Sequence, residues 1–344
     1  MTAAQHAGVN RSAAQVFAEG TEITDPALAR TMQRLAPVLR EAVHYHYGWI
    51  GKDGGPAGGE RGGSGRKAVV FALLCAGVDG GPVERGLPGV VAGNLVVNAA
   101  CIHDDIMDRE ILRRGRPTLW QAYGHDRALV AGDALIGLAF ASLSEHQHRR
   151  ARDAVQVMGA FWNRTCAGQI HDVDVQGHSE LPLDEAVAVS VAKSAEGIGG
   201  VLRLSALLTD ADDAQVEAVG RFGFEFGMAL QYCNDLWDLW PAFPQGRLRF
   251  GDIRQRKMTP MVVACLSSKN ADSEQLAAYY RGRGEPDEKL LPGVAQLIDR
   301  CGGRAWARER NHEHMRQALQ HLQDASPPPA LYGDLATISS HYLA

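Results

Sequence analysis

A run of residues without any charged side chain, GVVAGNLVVNAACI (89–102), constrains the fold of this chain more than any other feature. If the run is helical, it is apolar on every side and therefore belongs inside a large core. It ends abruptly, because the next stretch, HDDIMDREILRRGRPT (103–118), places three aspartates and four arginines in sixteen positions. A buried helix that ends in a carboxylate cluster is a candidate for a functional site.

The acidic cluster predicts a site for a divalent cation. Asp104 and Asp108 are four residues apart and share one helix face, with Asp105 beside them. Such close like charges repel one another, and a cation resolves the conflict. Few oxygen ligands, with room left for water and substrate phosphates, suit Mg²⁺. Arg113 and Arg114 follow with planar guanidinium groups that match phosphate oxygens. A single cluster of this kind is also typical of a solvated helix end.

A second, similar cluster makes the functional interpretation the stronger one. In FGFEFGMALQYCNDLWDLW (222–240), Asn234, Asp235 and Asp238 repeat the spacing of the first cluster after a mostly apolar segment. Two such helices facing each other could hold several Mg²⁺ ions, with a diphosphate bridging them. This arrangement stabilises negative charge on a leaving group, so the predicted chemistry is loss of pyrophosphate.

These stretches resemble the trans-isoprenyl diphosphate synthase (polyprenyl synthetase) family. The first aspartate-rich motif and its trailing arginines correspond to residues 104–118. Four further stretches match in order: LVAGDALIGLA at 129–139, AGQIHD with Gly168, Gln169 and Asp172, AKSAEG with Lys193 and Ser194, and GDIRQRKMTPMVVA with Lys257, Thr259 and Pro260. The resemblance implies an all-α, single-domain isoprenoid synthase fold over residues 1–344, built around a central cavity. It also implies a prenyl diphosphate substrate, Mg²⁺ as cofactor with three ions, and a homodimer.

The resemblance assigns site residues position by position. The catalytic set is Asp104, Asp105, Asp108, Arg113, Lys193, Asp235, Asp238 and Lys257. The metal ligands are Asp104, Asp105, Asp108, Asn234, Asp235 and Asp238. The substrate-binding set is Arg66, Lys67, Ala99, Ala100, Arg114, Gln169 and Gln231. In the family, bulky residues four and five positions before the first aspartate form the floor of the cavity. The alanines found there favour a substrate of C20 or longer.

The half of the site that receives a second substrate departs from the family pattern. Chain-elongating members bind isopentenyl diphosphate with a Gly-Gly-Lys-Arg-x-Arg-Pro stretch and a histidine ahead of the first aspartate motif. Here GGSGRKAVVF keeps Arg66 and Lys67, but Val69 and Val70 replace the second arginine and the proline, and Val97 replaces the histidine. Valine can make no hydrogen bond to phosphate. The sequence therefore argues against efficient elongation.

The leading hypothesis from the sequence is accordingly a class I terpene synthase, a diphosphate lyase on the prenyltransferase scaffold. It would ionise geranylgeranyl diphosphate or a longer substrate and cyclise or quench the cation. Asn234, in place of the first aspartate of the second motif, gives a partial resemblance to terpene cyclases. The alternatives are a chain-elongating polyprenyl or geranylgeranyl diphosphate synthase with an acceptor pocket rebuilt around Arg66, Lys67 and Arg114, and irregular coupling of two allylic diphosphates. A non-catalytic partner subunit would not need the metal ligands that are retained.

Composition excludes several other classes of protein. With 344 residues, 45% hydrophobic and 22% charged, the chain can bury a large core as one domain or at most two. A net charge of −5 without a basic stripe argues against nucleic acid as a partner. The six cysteines include no C-x-x-C pair, which argues against structural zinc or a disulfide framework.

Two further expectations concern location and linkers. The sequence shows no apolar run of eighteen residues and no signal-like N-terminus, so we expect a cytoplasmic protein without a membrane span. The segment GKDGGPAGGERGGSG (51–65) is rich in glycine and predicts a flexible loop.

Overall fold

The computed structural model describes residues 11–57, 65–241, 246, 248–282 and 284–344, and the backbone alone for 65–68. Within these residues the chain forms sixteen α-helices and one short hairpin, which confirms the predicted all-α fold. The helices are α1 (Ala13–Met32), α2 (Pro37–His46), α3 (Gly65–Cys75), α4 (Leu87–Met107), α5 (Leu119–Tyr123), α6 (His125–Ser144), α7 (Ala151–Asp174), α8 (Leu183–Ser190), α9 (Glu196–Leu207), α10 (Asp213–Leu239), α11 (Gly251–Arg254), α12 (Pro260–Leu266), α13 (Ala271–Tyr280), α14 (Leu291–Arg300), α15 (Gly303–Asp324) and α16 (Pro329–Ser340). The organisation of residues 1–344 as one domain stays a prediction.

Helix α4 has the central position that its uncharged run predicts. Residues 89–96 are all buried, and the helix packs against α6 and α9. Gly89 allows the close approach to α9, because a Cβ at this position would lie 2.6 Å from the backbone oxygen of Leu204. Helix α4 ends at Met107, so its last turn carries the first acidic cluster into the protein.

Helix α10 carries the second cluster in its last turns. Its start is fixed by a capping box, in which the Asp212 side chain accepts a hydrogen bond from the Gln215 backbone N–H and the Gln215 side chain accepts one from the Asp212 backbone N–H. The helix then runs for 27 residues, packed between α9 and α15, before it ends at Leu239. Asp235 and Asp238 are therefore held on a buried, well-supported element.

A two-stranded hairpin follows α4 and positions the paired arginines. Strand β1 (Leu112–Arg113) pairs antiparallel with β2 (Arg116–Pro117). The two loop residues, Arg114 and Gly115, both have positive φ, +56° and +73°, as a tight hairpin turn requires. Glycine adopts this conformation freely, whereas Arg114 does so at a cost of about 1 kcal/mol. The hairpin places both arginines in one pocket with Asp105.

A π-helical turn, Val191–Ala195, lies between α8 and α9 and contains Lys193. It packs against α7 at Gly168, where a Cβ would lie 2.6 Å from the backbone nitrogen of Lys193. The glycine of the AGQIHD stretch thus has a packing role, because it lets the backbone that carries Lys193 approach α7.

Two segments, Val83–Met107 and His125–Ser144, are long and apolar enough to cross a membrane by length and composition alone, which differs from the expectation drawn from the sequence. The apolar window of the first is 67% buried in the protein and that of the second 39%. This is weak evidence for a span, since the core helices of soluble proteins meet the same criterion. Of the predicted glycine-rich loop, residues 51–57 form a turn closed by a hydrogen bond from Gly51 N to Gly55 O, and 58–64 lie outside the described residues.

Candidate active site

The first acidic cluster lies at the C-terminal end of α4 and is held by the hairpin arginine. Arg113 Nε donates to Asp105 Oδ1 at 2.7 Å, and its Nη2 lies 3.7 Å from Asp104 Oδ2. From α7, Gln169 Nε2 donates to Asp104 Oδ1 at 3.0 Å. Burial raises the pKa of Asp104, but the charges of Lys193, Lys257 and Arg113 outweigh it and hold that pKa below its usual range.

Two lysines join the cluster from other parts of the chain. Lys193 Nζ lies 2.7 Å from Asp172 Oδ2 and 3.2 Å from Asp104 Oδ1. Lys257 Nζ contacts Asp108 Oδ2, with Asp172 at 3.8 Å and Asp252 at 4.0 Å. Although burial opposes the charged form, the surrounding carboxylates raise the pKa of both ammonium groups. Both lysines therefore stay charged.

The second cluster connects to the first through these partners. Asp235 Oδ1 accepts from Gln231 Nε2 at 2.7 Å, and Gln231 Oε1 accepts from Ser194 Oγ at 2.6 Å. Asp238 accepts from the backbone N–H groups of Gly251 and Asp252 at 3.0 and 3.1 Å. Since Lys257 contacts Asp108 and lies near Asp252, the ends of α4 and α10 face the same space.

The charges of this space are unbalanced in a way that fits a divalent cation. Burial raises the pKa of Asp105 to about 7, burial and then Asp104 raise that of Asp108 to about 6, and burial and then Asp252 raise that of Asp235 well above its usual range. One buried oxygen on each of Asp105, Asp108 and Asp235 has no hydrogen-bond partner. Oxygens of this kind usually have a ligand, and carboxylates are ligands that Mg²⁺ prefers.

The described side chains are not yet arranged around an ion. No three His, Cys, Asp or Glu residues in the described part of the chain are grouped closely enough to ligate one metal. The ammonium groups of Lys193 and Lys257 contact the carboxylates instead. The donor chemistry therefore fits Mg²⁺, while occupancy requires these contacts to rearrange.

A pocket lies on the hairpin side of the first cluster. It is lined by Asp105, Arg113, Arg114, Arg116 and the last residues of α2. Arg114 is half-buried here, its buried Nε has no hydrogen-bond partner, and its guanidinium forms no ion pair within the described residues. An unpaired cation that is partly removed from water is costly, so this pocket suits an anion.

The remaining predicted residues are placed as follows. Asn234 lies one residue before Asp235 on α10. Ala99 is completely buried in the core, whereas Ala100 is partly exposed, so only the second can face a cavity. The side chains of Arg66 and Lys67 lie outside the described residues.

Two carboxylates of the site are absent from the predicted set. Asp172 belongs to the matched AGQIHD stretch and neutralises both lysines, and Asp252 precedes Lys257 in GDIRQRK. The signal for each was its position within a stretch already singled out. A third residue outside the predicted set is His46, the last residue of α2. It lines the pocket beside Arg114 and belongs to none of the matched stretches.

The helical fold and paired acidic clusters define a class of diphosphate-utilising enzymes, and similarity to known proteins specifies the family. The polyprenyl synthetase family profile matches residues 62–298, and the chain belongs to that family. A (2E,6E)-farnesyl diphosphate synthase of Mycobacterium tuberculosis is 31% identical over 328 residues, covering 94% of this chain and 90% of that protein. A geranylgeranyl diphosphate synthase of the same organism is 33% identical over 309 residues, covering 89% and 87%.

Solved structures agree on the fold. The polyprenyl synthetase from Streptomyces coelicolor superposes with a TM-score of 0.87 at 28% identity, covering 96% of this chain and 99% of that one. A polyprenyl synthase from Caulobacter crescentus, complexed with calcium and isoprenyl diphosphate, superposes with a TM-score of 0.84 at 18% identity, covering 98% of each chain. The chain therefore has the all-α isoprenoid synthase fold.

These comparisons correct the leading hypothesis from the sequence. The relatives are named as prenyl diphosphate synthases, so the assignment as a terpene synthase, a lyase that cyclises its substrate, is wrong. That assignment judged the acceptor side from Val69, Val70 and Val97. In the folded chain Val69 is buried in the core, and the pocket is lined by the hairpin arginines and by His46.

Proposed function

We propose that the protein is a chain-elongating trans-prenyltransferase that joins an allylic prenyl diphosphate to an isopentenyl-type acceptor diphosphate. The observation that carries the proposal is the pair of acidic clusters with Lys193 and Lys257 between them, adjoining a pocket that holds the unpaired cation of Arg114. One region can thus receive a leaving diphosphate and the other an acceptor diphosphate. The names of the relatives support the same reaction.

The residues divide the reaction between them. Family members generally depend on Mg²⁺, and when bound this metal neutralises the charge that develops on the leaving pyrophosphate. We propose three ions, with ligands from Asp104, Asp105, Asp108, Asn234, Asp235 and Asp238. Arg113, Lys193 and Lys257 bind oxygens of the allylic diphosphate, while Gln169 and Gln231 orient Asp104 and Asp235. The bond from the allylic carbon to oxygen breaks, the acceptor double bond forms the new carbon–carbon bond, and a proton leaves the acceptor.

The direct test is product formation from purified protein. Farnesyl or geranylgeranyl diphosphate is incubated with Mg²⁺, with and without isopentenyl diphosphate, and the phosphatase-treated products are analysed by mass spectrometry. We expect a longer prenyl alcohol only when isopentenyl diphosphate is present, and no product in excess EDTA. A hydrocarbon formed without isopentenyl diphosphate, and no elongated product with it, would contradict the proposal.

Product length provides a second test. Ala100 is partly exposed on the α4 face one turn before the first aspartate, and its small side chain leaves room for a long tail. We therefore propose a product of C20 or longer. Ala100→Phe fills that space, so we expect the main product to shorten by at least one C5 unit. The measurement is the chain-length distribution, with Ala100→Ser as the matched control that leaves it unchanged.

We also propose a homodimer acting in the cytoplasm. Helix α6 exposes Leu129 and Val130, and the adjacent α7 exposes Ile170 and Val173, so these neighbouring helices present apolar side chains for a second copy. Light scattering after size exclusion should give twice the chain mass of 37.1 kDa. Val130→Glu combined with Ile170→Glu should shift that mass toward the monomer.

A further inference from the structure

The pocket that holds Arg114 also contains an imidazole that none of the motifs in the sequence supplies. His46 is the last residue of α2, and it lines this pocket together with Arg113, Arg114 and Arg116. It is distant in sequence from Val97, the α4 position where the family pattern places a histidine. The chain therefore brings a histidine to the acceptor side from a different helix.

A chain of buried amides holds this imidazole in one orientation. Asn98 Nδ2 donates to the backbone oxygen of Asn94 at 2.9 Å and to its side-chain oxygen at 3.2 Å, so Asn98 Oδ1 faces His46. His46 Nε2 lies 3.1 Å from this oxygen and must donate to it. Tyr47 completes the chain by donating its hydroxyl to Asn94 Oδ1 at 2.7 Å.

The same contacts leave the other ring nitrogen for a ligand. His46 Nδ1 makes no hydrogen bond within the described residues, although the ring is partly accessible from the pocket. Asn94 and Asn98 lie in the apolar part of α4 and are 3% and 0% exposed. Burying their amides is costly unless the amides form hydrogen bonds. Here those bonds fix His46.

We propose that His46 is a specificity-determining residue for the second substrate, donating from Nδ1 to the diphosphate of a homoallylic acceptor that Arg114 binds beside it. This inference rests on the proposed function. It places the acceptor's anion against α2 and the hairpin, and it explains how elongation tolerates valine at positions 69 and 97.

Because of the charges around the ring, His46 Nδ1 can act as a donor only when an anion is bound beside it. Burial lowers the pKa of His46 well below its usual range, and Arg114, Arg113 and Arg116 lower it further, while the Asn98 hydrogen bond opposes them. Asp105 is the acidic residue lining the pocket, and it is paired with Arg113. A bound diphosphate cancels the arginine charges, so the imidazole takes up a proton and Nδ1 becomes a donor.

Two substitutions separate ligand binding from mere support of Asn98. In His46→Gln the amide reaches the place of Nε2, which preserves the Asn98 contact but removes the Nδ1 donor. In His46→Asn the amide lies near the place of Nδ1, which supplies a donor but loses the Asn98 contact. We expect the KM for isopentenyl diphosphate to rise about ten- to a hundredfold in His46→Gln, with the KM for the allylic diphosphate changed less than twofold, and partial recovery in His46→Asn.

The outcomes are distinct. If His46→Gln behaves as wild type and His46→Asn is the impaired variant, His46 only supports the helix packing and the inference is overturned, while the proposed function stands. If the wild-type chain does not elongate at all, the proposed function itself fails. His125→Gln, at an exposed histidine on α6, is the matched control and should leave both KM values unchanged. Thermal unfolding of each variant separates a binding defect from loss of fold.

Discussion

Replacing Asp104 and Asp108 together with alanine should lower kcat/KM for prenyl transfer at least about a thousandfold, since charge stabilisation at one site alone contributes about this much in other enzymes. Asp104 Oδ1 accepts a hydrogen bond from Gln169 and lies 3.2 Å from Lys193 Nζ. One buried oxygen of Asp108 has no hydrogen-bond partner. Loss of both removes two of the three carboxylates at the end of α4 that we propose as Mg²⁺ ligands. The measurement is steady-state elongation at saturating Mg²⁺.

The matched control is the double change Asp126→Ala with Asp184→Ala, which removes two exposed carboxylates from the first turns of α6 and α8. We expect that variant to retain activity within about twofold. Activity of the Asp104 and Asp108 variant within tenfold of wild type, in a folded protein, would refute the metal mechanism.

The second large effect is expected on stability. Lys257→Met keeps the length of the side chain but removes a buried charge that contacts Asp108 and lies near Asp172 and Asp252. Breaking a buried ion pair leaves an uncompensated charge, so the free energy of unfolding in EDTA at pH 8 should fall by about 3–5 kcal/mol. Urea denaturation followed by circular dichroism measures this difference. Turnover should fall as well, since Lys257 is a proposed diphosphate ligand.

The pH dependence of this loss has a definite sign. The pKa of Asp108 is about 6 with Lys257 present, because burial and Asp104 raise it, and removal of the lysine raises it further. When the pKa of a carboxyl is raised in the folded state, the free energy of unfolding falls as the pH rises from the unfolded pKa of that carboxyl to its raised value. The deficit of Lys257→Met should therefore be smaller at pH 5 than at pH 8. Lys289→Met, at an exposed lysine, should change stability by less than about 0.5 kcal/mol at either pH. A deficit independent of pH would contradict the assigned pairing.

Local sequence predicted the elements that carry chemistry, because their physical signals are local. An uncharged run that is helical belongs in the core, and carboxylates four apart on a helix share one face, so the buried position of α4 and its cluster could be predicted. The mostly apolar segment before Asn234 and the repeated spacing of Asp235 and Asp238 predicted the last turns of α10 in the same way. By contrast, the π-helical turn at Lys193 depends on how closely α7 packs at Gly168, and nothing in the stretch around it predicts one extra residue in a helical turn.

The acceptor side could not be predicted from position alone. Val97 occupies the expected place of a histidine, and the sequence therefore indicated a lost function. His46 reaches the same pocket from the end of α2, through packing between segments far apart in the chain. A residue brought to a pocket in this way is visible only when the helices are seen together, and the interpretation as a terpene synthase, which was based on the valines, did not take it into account.

The lysines between the acidic clusters have a consequence for the order of binding. Lys193 and Lys257 already satisfy oxygens of Asp104 and Asp108, so a cation that enters alone must displace two ammonium groups from these carboxylates and leave both of them to share Asp172. A diphosphate arriving with the cation offers those groups new anionic oxygens. We therefore expect each ligand to strengthen the binding of the other, and by reciprocity the affinity for Mg²⁺ should depend on substrate concentration. We therefore expect the proposed Mg²⁺ site to fill only when a diphosphate substrate is bound as well.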